Sequence, residues 1–465
     1  MGKIKFGTDG WRAIIDQDFN PDNLTRVAEG MATWLQAAYD QPSVMIGYDC
    51  RRNGPAYSDL VARVMAAHGI QVFVANRFVS TPMVSLGVHK RQVKAGVVIT
   101  ASHNPPEYSG FKIKGDYGGP AYPSIIDAVE VRIPDAPSTY EESLESLMDR
   151  GLVQYFDMEA LYLNHVRDTF DLDLIHSSGI KIGYDAMFGA GQRAFRKLLP
   201  HATLLHADYD ITFQGTAPEP IERNLGEFQA LIRSAGLDVG VATDGDADRI
   251  GLLDERGEFV DSHHIILLLI HYLHKVKGQS GKVVITFSVT PKVEKLCALY
   301  GLPIEVTKVG FKYICEIMLN EHVLVGGEES GGIAIAGHVP ERDGIYIGLT
   351  IVEMMARSGK KLTELIDEIY GIVGAFSFQR NDLHLENAKK EDIVAGLIEG
   401  RWTNFGSYTI VRTEDLDGYK FHLGDDRWVM VRPSGTEPVL RIYAEAATRA
   451  EAEDILRATI ATITA

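Results

Sequence analysis

At 465 residues the chain is too long for one ordinary core, so two to four domains are expected. Hydrophobic residues at 45% and charged residues at 23% give the balance of a soluble globular protein. A formal net charge of −17 excludes a global basic field and with it general nucleic-acid binding; an anionic ligand must be held by local Arg, Lys and backbone amides. The longest strongly apolar run, Ile265 to Ile270, is far short of a bilayer span, so no membrane association is expected. The opening MGKIKFGTDGW lacks the apolar core of a secretory signal. Cys50, Cys297 and Cys315 are odd in number and lack a CxxC, which fits reduced thiols and a cytoplasmic protein.

Along the chain, three segments share a β-run, a polar loop and an amphipathic helix. The first is Val44-Met45-Ile46-Gly47-Tyr48-Asp49, then Arg51-Arg52-Asn53-Gly54 and a helix near Ser58 to His68. The second is Ile180-Lys181-Ile182-Gly183-Tyr184-Asp185, then Gly189-Ala190-Gly191 and a helix towards Leu199. The third is Lys282 to Thr286, then Ser288 to Pro291 and a helix through Tyr300. Recurrence of the whole unit at about a domain's spacing predicts duplicated α/β domains. From about Gly371 the pattern changes to short strands (Tyr408 to Val411, Trp428 to Val431, Val439 to Ala444) and a final helix, Arg449 to Ile463. The expected fold is therefore three related α/β domains with mixed sheets plus a smaller C-terminal α+β domain. Boundaries are placed at 1–150, 151–255, 256–370 and 371–465, with Asp135 to Asp149 as a link and Ala207 to Asn224 as a surface loop.

Chemistry concentrates where strands end. Val97-Val98-Ile99-Thr100-Ala101-Ser102-His103-Asn104-Pro105 carries a hydroxyl to a loop beside an imidazole, which makes Ser102 a candidate nucleophile. In isolation that run reads at least as well as a Ser/Asn/Pro turn. Val239 to Thr243 leads into Asp244-Gly245-Asp246-Ala247-Asp248-Arg249, whose alternate carboxylates can converge on one hard cation. Arg249 can offset their charge or hold a phosphoryl oxygen. An EF-hand would need glycine where Arg249 stands, and Ile250 to Leu253 reads as a strand, so that reading is rejected. Val323 to Val325 leads into Gly326-Gly327-Glu328-Glu329-Ser330-Gly331-Gly332, where Glu328 and Ser330 suit sugar hydroxyls. Arg432-Pro433-Ser434-Gly435-Thr436-Glu437-Pro438, with Arg441 following, offers guanidiniums, hydroxyls and a glycine-freed backbone for a phosphate. Gly7-Thr8-Asp9-Gly10-Trp11-Arg12 brings a further arginine.

In this order GTDGWR, TASHNP, GFKIK, DGDADR, GEESGG and RPSGTEP resemble the α-D-phosphohexomutase superfamily over nearly the whole chain. The resemblance implies four domains around a central cleft and a phosphoryl group carried on Ser102. It implies Mg²⁺ held by Ser102, Asp244, Asp246 and Asp248, and a hexose 1,6-bisphosphate as intermediate and activator. Glu328 and Ser330 would hold the sugar, while Arg432, Ser434, Gly435, Thr436 and Arg441 would hold the phosphate that is not reacting. His103, Lys112, Lys308 and Arg342 are the acid/base candidates, with Arg12 and Arg249 beside them. Members of one branch usually carry histidine where this chain has Gly332, and the Glu328-Glu329-Ser330 run looks more like glucose-preferring members. The expected activity is interconversion of glucose 1- and 6-phosphates by a monomer or homodimer acting on small sugar phosphates. Phosphomannomutase, dual-specificity and phosphoglucosamine mutase activities are alternatives; a sugar phosphatase and an inactive binding protein are remoter ones.

Overall fold

The computed structural model describes residues 2–7, 10–434 and 439–465; Gly435 and Thr436 of the predicted phosphate loop lie outside the described residues. The chain forms two compact units. One comprises Met1–Val284 with Gly310–Leu365, the other Ile285–Val309 with Ile366–Ala465.

In the first unit, a six-stranded sheet runs in the order Trp11–Ile14, Tyr108–Gly115, Ala95–Ile99, Ser43–Tyr48, Gln71–Ala75, Val153–Phe156. The last four strands are parallel and the first two antiparallel, so the sheet is mixed as expected. Ala95–Ile99 is buried at every position, which explains its unbroken apolar run. Helices Pro21–Ala38, Gly54–Ala67 and Thr81–Arg91 cover the sheet. The second of these starts before the expected Ser58, because Gly54-Pro55 supply a proline in its first turn.

A five-stranded sheet repeats the plan, with Thr203–Leu205, Ile182–Asp185 and Val239–Thr243 parallel, then Ile250–Leu253 and Phe259–Val260 returning antiparallel. The twin IGYD segments end alike. Asp49 Oδ1 accepts from the Arg51 amide at 3.0 Å, and Asp185 Oδ1 from the Met187 amide at 2.8 Å. In a third sheet Val323–Gly327 pairs antiparallel with Ile333–Ile335. Each of the three candidate loops in this unit therefore joins a strand to its antiparallel return.

The second unit contains an antiparallel sheet in the order Ser377–His384, Val439–Ala446, Arg427–Pro433, Tyr419–Gly424, Arg412–Glu414. Helices Asn387–Glu399 and Arg449–Thr464 pack on it around Leu397, Val431, Ile442 and Ile455. This is the expected α+β arrangement, with Ser377–His384 and Asn387–Glu399 added. Among the described residues no helix is long and apolar enough to cross a membrane.

Candidate active site

Ser102 stands just past the fully buried strand Ala95–Ile99, with φ at 53°, a left-handed conformation that a non-glycine residue holds at a cost. Its surroundings impose that conformation. The Ser102 amide donates to Thr100 Oγ1 at 2.9 Å, and Thr100 Oγ1 donates to Asp49 Oδ2 at 2.6 Å. Arg51, 1% exposed, pairs with Asp49 at 3.2 Å. Its Nη2 donates to the carbonyls of Ser102 and Asn104 at 2.7 and 2.6 Å, and Nη1 to those of Pro105 and Tyr108 at 2.7 and 2.9 Å. One planar guanidinium thus holds the loop's backbone from beneath. Ser102 Oγ donates to Asp244 Oδ2 at 2.7 Å and lies 3.4 Å from His103 Nδ1.

The three aspartates converge as their alternation predicts. A ligand atom from each of Asp244, Asp246 and Asp248 lies within 4.8 Å of the others, and all three side chains are buried. Asp244 Oδ1 accepts from the amides of Asp248 and Arg249 at 2.9 and 3.1 Å. Lys112 Nζ donates to Asp246 Oδ2 at 2.8 Å and Asp248 Oδ2 at 3.0 Å; Arg342 Nη2 donates to that same Asp248 oxygen at 2.7 Å. Thr81 Oγ1 donates to Asp246 Oδ2 at 2.5 Å. Oδ1 of Asp246 and Oδ1 of Asp248 accept no hydrogen bond although both are buried. Orphaned anionic oxygens of that kind are costly, and a hard dication with oxygen ligands would satisfy them. The donor set therefore fits Mg²⁺. Gly245 is required here by close approach, since a Cβ would stand 2.5 Å from the Ser102 carbonyl oxygen.

Electrostatics divide the site. Burial, with the carboxylates of Asp248 and Asp246, holds Asp244 well above the usual carboxylate range. Burial would raise Asp246 too, but the Lys112 ammonium outweighs it and keeps that carboxyl ionised. Burial and the cations Arg249, Arg12, Lys112 and Arg51 hold His103 well below its ordinary value, so its imidazole is neutral at neutral pH. A neutral imidazole beside a hydroxyl can accept a proton.

Arg12 reaches the serine loop, Nη1 donating to Asn104 Oδ1 at 2.8 Å. Arg249 Nε lies 4.0 Å from Asp248 Oδ1. The Glu328 loop closes through the Glu328 amide on the Gly332 carbonyl at 3.0 Å, and the Ile250 amide donates to the Gly331 carbonyl at 3.1 Å. Ser330 is half-buried in that loop.

In the second unit Arg432 and Arg441 are directly opposed on paired strands, which puts both guanidiniums on one face. The Ser434 amide donates to the Val439 carbonyl at 2.9 Å, and the Ser434 carbonyl accepts from Lys390 Nζ at 2.6 Å. Asp417 bridges the Lys308 turn to this face. Its Oδ2 accepts from the Val309 amide at 2.8 Å, and its Oδ1 pairs with Arg432 Nε at 3.2 Å.

Family models named for phosphoglucomutase/phosphomannomutase match in chain order. They are α/β/α domain I over residues 3–139, domain II over 160–257, domain III over 261–372 and the C-terminal domain over 384–462. A phosphoglucomutase/phosphomannomutase of Thermococcus kodakarensis is 30% identical over 98% of this chain and 97% of its own. The chain belongs to the phosphoglucomutase/phosphomannomutase family. It is an isomerase of the α-D-phosphohexomutase superfamily. A phosphoglucosamine mutase of Oceanobacillus iheyensis is also 30% identical, over 97% of this chain and 96% of its own. Among solved structures, one from Thermus thermophilus described as a putative phosphomannomutase superposes with a TM-score of 0.89, at 29% identity and full coverage of both chains.

For this phosphohexomutase, the residues that sequence reasoning missed are mostly supports. Arg51 appeared only as part of a polar loop, and Thr81 and Asp417 not at all. Lys114, fully buried, pairs with Glu341 at 2.5 Å. The signal for Lys114 was present: in Gly-Phe-Lys-Ile-Lys it alternates with Lys112, so a strand puts both on one face.

Proposed function

We propose that this phosphohexomutase interconverts glucose 1-phosphate and glucose 6-phosphate, with Ser102 as phosphoryl carrier and a 1,6-bisphosphate as intermediate and activator. The observation that carries the reading is Ser102 Oγ 2.7 Å from Asp244 Oδ2, in a buried site ringed by Lys112, Arg342 and a neutral His103. Ser102, Asp244, Asp246 and Asp248 would hold Mg²⁺, which supplies charge neutralisation for a transferring phosphoryl group.

The chain's own residues do the rest. The bond from phosphorus to Ser102 Oγ breaks as one forms to the free hydroxyl oxygen of the sugar phosphate, whose proton passes to His103. After the bisphosphate turns round, its other phosphate returns to Ser102 Oγ. Glu328 and Ser330 orient the sugar hydroxyls in both directions. Arg432, Ser434, Gly435, Thr436 and Arg441 hold the idle phosphate, with Lys308 and Arg12 as further cations. Positioning of both ends supplies most of the rate. Domains at 1–150, 151–255, 256–370 and 371–465 each contribute one loop.

A second reading, phosphoglucosamine mutase, is favoured by the name of the Oceanobacillus iheyensis relative. Side-by-side assays on glucose, mannose and glucosamine 1-phosphates with Mg²⁺ and a trace of 1,6-bisphosphate separate the two. Fastest turnover of the glucose ester supports the first reading, a dominant glucosamine rate the second, and equal glucose and mannose rates a dual-specificity enzyme. Free phosphate released in step with substrate loss, without isomer, would make the protein a phosphatase. Ser102→Ala should abolish essentially all turnover.

A further inference from the structure

Arg342 lies between the acidic loop and the Glu328 loop, and hydrogen bonds tie down the backbone that follows it. Asp343, the next residue, caps helix Gly344–Ser358 by accepting from the Tyr346 amide at 3.0 Å, and also accepts from Tyr162 and His338. The Gly344 amide donates to the Ala247 carbonyl at 3.0 Å. None of these bonds involves the Arg342 side chain. It is 4% exposed, and its guanidinium lies 5.4 Å from the centre of the Phe311 ring.

From this anchor Nη2 donates to Asp248 Oδ2 at 2.7 Å, and Nη1 stands 3.8 Å from Glu328 Oε2. With Lys112 on the same Oδ2, Asp248 is held with Oδ1 left for a cation. The stem of Arg342 occupies the space where residue 332 would carry a side chain. A Cβ on Gly332 would stand 2.4 Å from Arg342 Cδ and 3.2 Å from both Arg342 Cγ and Glu328 Oε2. A contact of 2.4 Å cannot persist, and displacing the Arg342 side chain relieves it without breaking those backbone bonds.

We propose that Gly332 and Arg342 act as one positioning element: the glycine leaves the volume filled by the Arg342 stem, and the guanidinium so placed registers the Glu328 loop on Asp248. The inference rests on the reading above, in which Asp248 meets the metal and Glu328 the sugar. It makes residue 332 matter chiefly through residue 342, at 2.4 Å, rather than through Glu328, at 3.2 Å. It also couples sugar affinity to metal affinity through one side chain.

The test is a double-mutant cycle on the full chain with Gly332→Ala, Arg342→Ala and the double variant. Mn²⁺ affinity is measured by electron paramagnetic resonance without substrate, and KM and kcat are measured for whichever hexose phosphate is turned over. Loss of a hydrogen bond to a charged group predicts that each single variant shifts Mn²⁺ affinity about tenfold and raises KM by a similar factor. The double variant should match Arg342→Ala on both readouts. Multiplying effects, or a Gly332→Ala protein like the wild type, overturn the proposal. If Gly332→Ala does not fold, the double variant, in which the clash is gone, must fold; its failure also overturns the pairing. Should the wild type turn over no hexose phosphate while the Mn²⁺ cycle behaves as stated, the functional reading falls and the pairing stands.

Discussion

The serine loop and the acidic loop hold equivalent places in two sheets. Each follows a fully buried parallel strand and returns antiparallel, and each contains one non-glycine residue in the left-handed region, Ser102 at φ 53° and Ala247 at φ 56°. Their supports differ. The carbonyls of the serine loop are gathered by one side chain, Arg51. Those of the acidic loop are held by backbone amides from separate elements, Ala190 on Gly245, Thr81 on Asp246 and Gly344 on Ala247, at 2.9, 2.9 and 3.0 Å. The same topology is thus held once by a replaceable group and once by groups that no substitution short of proline removes. Four carbonyls of the loop that carries Ser102 thus depend on a single side chain.

The sharpest way to break this contrast is Arg51→Ala. It strips the serine loop of its clamp and leaves Asp49 buried without its ion pair, a change that costs about 3–5 kcal/mol. Urea titration should register that loss, and turnover should fall by more than about a hundredfold. Arg51→Lys should recover little, because an ammonium cannot span these carbonyls as a planar fork does. Wild-type stability and rate in Arg51→Ala would show that the loop holds itself.

A smaller effect concerns pH. Burial pushes Asp49 up to about 6, against the opposing pull of Arg51 and Thr100. A carboxyl whose folded value lies above its unfolded one binds its proton more tightly when folded. Its stabilising contribution is full below about pH 4 and declines as pH rises to about 6. Asp49→Asn should remove that segment of the pH–stability profile. An unchanged slope in the variant would assign it to another group.

The smallest effect is expected at Thr81→Val. The hydroxyl bond to Asp246 Oδ2 is lost, but the Thr81 amide still holds the Asp246 carbonyl. A cost of about 2 kcal/mol and turnover within a few-fold of wild type are expected from melting curves and the mutase assay. Collapse of activity would mean that the acidic loop is as dependent on one side chain as its counterpart.

The same contrast explains what could be read in advance. Ser102 and the alternating Asp244, Asp246 and Asp248 were legible because each pattern is local: an apolar strand running into a polar loop, and carboxylates two residues apart. The opposed pair Arg432 and Arg441 sits on two strands of one hairpin, so its motif was local too. Arg51 was not legible as a clamp, because its partners lie 51 to 57 positions away and nothing nearby specifies them. Backbone amides leave no residue-type signature at all, so the supports of the acidic loop were invisible. The strand Ser377–His384 escaped because SFQRNDLH lacks alternation; its pairing with Val439–Ala446 from Ser377↔Ala446 to His384↔Val439 supplies what its side chains do not.

The proposed reaction requires Ser102 to give and take back a phosphoryl group. The direct measurement incubates the full chain with Mg²⁺ and a hexose 1,6-bisphosphate, then maps phosphate by peptide mass spectrometry before and after a chase with excess hexose 6-phosphate. Phosphate on Ser102 that disappears in the chase as bisphosphate forms is the expected result. Undiminished mutase turnover with no phosphate on Ser102, or with phosphate on another residue, would contradict it.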